Sequence, residues 1–182
     1  EFQRIKQRII SITRDPIRNI PYYQDVAGTG QALNADTVML KYGLSPAYLA
    51  AAEYDKAAKT LQEVISYYPT KTILKTDLGA IYSKAGKYQE GLELLSKARR
   101  QDPKNAYTIY NLALTLEKAG MLEEAVTHFT RLGQVVPDSE FRMTAEYDAA
   151  AALINLAAWD RASGALEKFR AEYPDSEFTD DI

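Results

Sequence analysis

The stretch "KAGKYQEGLELLSKARRQDP" fills residues 84–103, and "KAGMLEEAVTHFTRLGQVVP" fills residues 118–137. The second is a loose copy of the first, displaced by 34 residues. Two further phrases close in the same way, "VISYYP" at Pro69 and "FRAEYP" at Pro174, so four prolines follow one another at 34, 34 and 37 residues. A fixed period in this range marks a chain assembled from copies of one small unit. No copy buries its apolar face alone, and each supplies part of its neighbour's core.

The interior of each copy agrees with that reading. With the proline at position 32, position 7 holds Leu44, Leu78, Leu112 and Ala149, and position 8 holds the small residues Ser45, Gly79, Ala113 and Ala150. Position 20 holds Ala57, Gly91, Ala125 and Ala162, and position 24 holds Leu61, Leu95, Phe129 and Leu166. Apolar residues at helical spacing on both sides of a turn predict two short amphipathic helices per copy. Small residues at positions 8 and 20 predict a close crossing where larger side chains would clash. Gly86 and Gly120 suit a left-handed cap between the two helices. The proline stops the second helix and sets the entry to the next copy.

This pattern resembles the tetratricopeptide repeat (TPR) family over residues 36–174. The resemblance implies an all-α fold, a TPR α-solenoid of antiparallel helix pairs wound into a right-handed superhelix with a concave groove. Four repeats are expected at about 38–69, 72–103, 106–137 and 143–174. Residues 1–35 are expected to form a degenerate helical pair and loop, opening with the amphipathic "EFQRIKQRII". Residues 175–182 read as the start of a further helix or a frayed tail, with Phe178 exposed. Pro46 falls inside the first helix of the first repeat, where it is expected to kink the helix or open a backbone bond. The three additional residues between the third and fourth prolines are expected to lengthen the first helix of the fourth repeat. Trp159 is expected to wedge into the inter-helix turn.

Composition narrows the function. Of 182 residues, 22 are basic and 25 acidic, with "KARR" at 97–100 the densest basic run, so nonspecific nucleic-acid binding has weak support and no nucleic-acid partner is expected. No cysteine is present and His128 is the single histidine, which leaves no thiolate site, no His pair and no HExxH. Neighbouring carboxylates such as Glu123 and Glu124 read as solvated helix ends. No nucleophile and base stand at a workable spacing. The chain reads as non-catalytic, with no metal and no cofactor. No apolar run approaches the ~18 residues of a membrane span, so no membrane insertion is expected. The chain opens at Glu1 without methionine, as an excised or processed piece would.

In TPR stacks the concave groove is lined from the first helix of each repeat. Carried onto this chain, the groove residues are Tyr42 from the first repeat and Thr76 and Asp77 from the second. The third supplies Tyr107, Tyr110, Asn111, Leu114 and Lys118, and the fourth Tyr147 and Asn155. Tyrosine recurs at position 5 in three repeats. Such rings offer large area at low entropy cost and a hydroxyl handle, which suits a protein or peptide partner. The alternative is that they pack on the neighbouring repeat and are only partly exposed. The lysine/asparagine clamp of TPR domains that bind acidic chaperone tails is essentially absent. Tyr42 and Pro46 stand where its first lysine and asparagine belong, and Asn111 is one match.

A narrower resemblance is carried by "EFQRIKQRIIS" followed by "MLKYGLSPAYLAAAEYDKAAKTLQEV". Residues 1–70 are similar to the C-terminal TPR tail of bacterial periplasmic zinc metalloproteases of the BepA type. The match departs at Ser45 and Pro46, where that family has alanine-type residues. The resemblance implies a non-catalytic docking tail in the periplasm, working in outer-membrane protein quality control, with the protease domain elsewhere. Its partners would be outer-membrane barrel proteins, their assembly machinery, or the parent protease domain. The other reading is a stand-alone TPR scaffold or lipoprotein of the bacterial envelope that organises a multiprotein complex.

Overall fold

The computed structural model describes residues 35–178. Among them there are eight helices and no strand: α1 (Ala35–Ala50), α2 (Tyr54–Tyr67), α3 (Thr72–Lys84), α4 (Tyr88–Gln101), α5 (Ala106–Lys118), α6 (Leu122–Val135), α7 (Arg142–Asn155) and α8 (Trp159–Glu172). The expected all-α class is found. The helical pair expected before residue 35 and the last four residues of the tail lie outside the described residues.

The chain divides into two compact units, residues 1–86 and 87–182. In the first, α2 packs on both α1 and α3. In the second, each helix from α4 to α8 packs on the next. Helices of 13 to 16 residues are marginal alone. They hold because each buries its apolar stripe against its neighbours. The core of the second unit joins Leu95, Ile109, Leu112, Ala113, Leu116, Ala125, Phe129, Leu132, Ala145 and Ala149. Phe129 is fully buried there, a contribution of roughly 1.5–3 kcal/mol by transfer alone.

The close crossing is visible directly in α1 and α2. Ser45 Oγ donates to the Ala57 carbonyl at 3.0 Å, which only two small residues at the crossing allow. Ala113 and Ala125 are both fully buried at the corresponding positions of α5 and α6.

Three of the four inter-helix turns repeat the same two backbone bonds. The Met121 N–H reaches the Leu116 carbonyl at 2.9 Å and the Gly120 N–H reaches Glu117 at 2.9 Å. That is the six-to-one and five-to-two pairing of a Schellman cap. Gly86 and Gly120 have φ of 77° and 78°, as their place before the second helix predicts. The same site is filled by Ala52 (φ 57°) and Ala157 (φ 55°) in the other two turns. Hydrogen bonds Glu53 N–H to Tyr48 and Ala158 N–H to Leu153 keep the cap intact there, so the fold imposes left-handed backbone on residues that resist it.

The helix α1 runs through Pro46 to Ala50, and Pro46 is exposed, so of the two expected effects the proline takes the milder, one open backbone rung. Three details differ from expectation. The three additional residues before the fourth repeat do not mainly extend its first helix. α7 has 14 residues against 13 in α5, and the remainder widens the connection over residues 136–141, which includes Phe141. Trp159 does not wedge into the turn; it is 65% exposed. Phe178 is not exposed but stacks on Tyr147, with ring centroids 4.6 Å apart.

Candidate binding surface

The predicted groove residues occupy the first helix of each repeat, and each unit carries its own set. In the first unit, Tyr42 is 39% exposed. Its Oη lies 3.5 Å from Asp77 Oδ2, at the long limit for such a bond. Burial and then the Asp77 charge push the Tyr42 hydroxyl up from its ordinary value. Thr76 is fully buried, so it offers a ligand no surface.

In the second unit the tyrosines are gathered into a cluster. Tyr110 stacks on Phe141 at 5.3 Å and tilts against Phe129 at 5.8 Å. Tyr107 meets the same Phe141 at 5.8 Å. Tyr110 Oη donates to Asp148 Oδ2 at 2.8 Å. One repeat on, Tyr147 stands between Phe169 at 5.8 Å and Phe178 at 4.6 Å. The Tyr110 and Tyr147 rings are therefore half-buried, each packed on a phenylalanine of its own repeat's second helix and on the phenylalanine that follows that helix. Asn111 Nδ2 donates to the Tyr107 carbonyl at 2.8 Å, one helical turn back. Leu114 packs partly buried against the core, while Lys118 and Asn155 are exposed.

Charge around the cluster is acidic. Burial raises the Asp148 carboxyl above the ordinary range, and the Tyr110 hydroxyl opposes that shift. Glu117 is raised by burial and by the Asp148 charge. Burial, then the bond to Asp148, pushes the Tyr110 hydroxyl well up. With a like-charged neighbour and a protein wall behind it, Asp148 holds Tyr110 in a fixed direction.

Phe141 and Phe178 were not among the predicted site residues. The signal is present in the chain: "PDSEF" occurs at 137–141 and again, unchanged, at 174–178. Both copies fold alike. The Phe141 N–H donates to Ser139 Oγ at 3.1 Å, and the Phe178 N–H to Ser176 Oγ at 3.3 Å. Each turn delivers its phenylalanine onto the tyrosine of the preceding first helix.

Among the described residues no cluster of His, Asp or Glu could hold a metal ion, and no helix is long and apolar enough to cross a membrane. Nothing in the tyrosine cluster pairs a nucleophile with a base.

Models of the tetratricopeptide repeat match residues 42–106, 82–146 and 144–176. The TPR repeat-containing protein MJ1428 of Methanocaldococcus jannaschii is 39% identical over 70 residues, 38% of this chain and 12% of that one. The chain thus spans less than a fifth of the length of the curated relatives it matches. Among solved structures, MamA from Desulfovibrio magneticus RS-1 superposes with a TM-score of 0.77 at 16% identity, over 97% of this chain and 95% of that one. YrrB, a TPR protein with an unusual peptide-binding site, gives 0.68 at 19% identity, over 93% of this chain and 83% of that one. Such repeats are generally non-catalytic and serve as protein-interaction scaffolds. The capped helix pairs, the buried small-residue crossings and the run of family matches from residue 42 to residue 176 lead to one conclusion: the chain belongs to the tetratricopeptide repeat family.

Proposed function

We propose that this chain is a non-catalytic docking module whose two units each take a polypeptide segment on their first helices, at Tyr42 and Asp77 in the first and at Tyr107, Tyr110, Asn111, Leu114, Lys118, Tyr147 and Asn155 in the second. The observation that carries the reading is the repeated half-buried aromatic cluster, Tyr110 with Phe141 and Tyr147 with Phe178. Rings already held in place lose little freedom when a partner arrives. Asp77, Asp148 and Glu117 give the surface acidic character, so it suits a neutral or basic segment and not the acidic tail of a chaperone. A peptide-binding TPR protein shares the fold.

The finer reading places this module in the periplasm, docking substrates or assembly factors for a zinc metalloprotease in outer-membrane protein quality control. It rests on the sequence resemblance of residues 1–70. The second reading, a scaffold organising a multiprotein complex of the envelope, is favoured by the family matches, which treat residues 42–176 as ordinary repeats.

A photoreactive residue in place of the exposed Lys118, used in a bacterial envelope extract, tests both. Crosslinks to outer-membrane barrel proteins or their assembly factors support the protease tail. Crosslinks to one fixed set of folded subunits support the scaffold. A chain that crosslinks to no polypeptide through this surface refutes docking there.

A further inference from the structure

A second cleft lies within the second unit, on the opposite stripe of α5 from Tyr110 and Leu114. It measures about 690 Å³ and is bounded by Gln89, Leu92, Ser96, Arg99 and Arg100 of α4 and by Met121, Glu124 and His128 at α6, over Leu112 and Leu116 of α5. None of these residues belongs to the tyrosine surface.

Its charge is uneven. Arg99 and Arg100 sit in the last turn of α4, where cations are also favoured by the helix dipole. The dipole alone does not account for what faces them. Arg131 of α6 is close enough to Arg99 and His128 to repel both. Among the described residues Arg99, Arg100 and Arg131 have no carboxylate partner. His128 Nδ1 is buried and makes no hydrogen bond. The half-buried Arg99 and the exposed Arg100 thus gather positive charge beside an unpartnered imidazole nitrogen. Glu124, the one acid that lines the cleft, lies in the first turn of α6, whereas Arg131 lies toward that helix's other end.

We propose that this cleft is a second docking site, and that its ligand is a short extended peptide segment with apolar residues followed by acidic ones. The apolar part lies on Leu92 and Met121, above a floor of buried Leu112 and Leu116. The carboxylates meet Arg99 and Arg100, where bidentate pairing is available. Along α4, Gln89 to Arg100 spans roughly 16 Å at the helical rise, the length of about five extended residues. The preference is opposite in sign to that of the tyrosine surface, so one chain can hold two different segments at once.

The His128 side chain reports occupancy. Burial, then Arg99 and Arg131, hold its imidazole down to about 4. A carboxylate among those guanidiniums offsets their repulsion and moves the His128 midpoint upward.

The test uses a fluorescein-labelled hexapeptide with three leucines followed by three glutamates, and a twin with lysines for the glutamates. Anisotropy at low salt should show binding of the glutamate peptide only, weakening as salt rises. Arg99→Gln with Arg100→Gln should weaken it about tenfold or more, with helicity and melting retained. Lys168→Gln, an exposed charge on α8, should leave it unchanged. The His128 ring signals should shift with the glutamate peptide. Equal affinity for the lysine twin, or an unaltered affinity in the double arginine variant, overturns the site. Full displacement by equimolar sodium phosphate also overturns it, since the cleft would then hold a simple anion. Failure here leaves the tyrosine surface untouched, because Lys118 crosslinking reads that surface alone.

Discussion

Tyr110 and Asp148 stand 38 residues apart in the chain and 2.8 Å apart in space, joining α5 to α7. The same two repeat positions face each other in Tyr42 and Asp77, at 3.5 Å. The contact ties one repeat's first helix to the next. Its energetics are two-sided, because the carboxylate is partly buried and its folded form leans toward the proton.

Tyr110→Phe should lower stability by about 1–3 kcal/mol, the cost of leaving Asp148 without its donor. Asp148 is raised in the folded state, so its contribution is favourable below the ordinary carboxylate range and is lost as pH rises through the raised value. Asp148→Asn should therefore be no less stable than the parent at neutral pH, with a flatter profile. Urea melts of the two variants across pH 4–8 check this, and a large loss in Asp148→Asn at neutral pH would contradict it.

Ala157→Gly should stabilise the chain. Ala157 is exposed and left-handed, a strain of about 1–2 kcal/mol. The greater freedom of glycine in the unfolded chain costs about 0.4–1 kcal/mol. Relief of the strain outweighs that cost over most of these ranges, so the net gain is up to about 1.6 kcal/mol. Gly120→Ala should do the reverse through backbone alone, since a Cβ there meets nothing within 4 Å. Paired melting curves settle the sign.

Leu112 is 3% exposed in the core of the second unit. Leu112→Ala should cost about 2–5 kcal/mol. Ala125 is fully buried at the crossing of α5 and α6, and Ala125→Leu should cost about 1–3 kcal/mol by overpacking. Denaturant titration with unchanged midpoints in both would mean the helices pair in another register.

His128 is lowered from 6.5 to about 4, so the folded state keeps it neutral while the unfolded chain takes the proton. The stability this provides is present above 6.5 and lost as pH falls through about 4. His128→Gln should remove about 1–2 kcal/mol of pH dependence over that window, solvent screening of the half-buried ring having reduced the full effect. Asp148 and Glu117 shift in the opposite sense, so the comparison must be parent against variant at each pH.

Much of this was written in the chain itself. The 34-residue period, the small residues at Ala113 and Ala125, the apolar seam and the left-handed Gly86 and Gly120 are all local regularities. Short helices with those stripes have one way to hide them, which is to stack on copies of themselves. The tyrosine positions were legible for the same reason, since helical spacing assigns a residue to a face.

Only the tertiary structure decided what each face meets. It buried Thr76, exposed Trp159, set Phe141 and Phe178 onto Tyr110 and Tyr147, and left His128 beside Arg99 and Arg131. A period states which side of a helix a residue is on. Whether that side is covered, and by which side chain, depends on distances between helices far apart in the chain. Those distances are set by the packing of the whole core, and no local pattern encodes them.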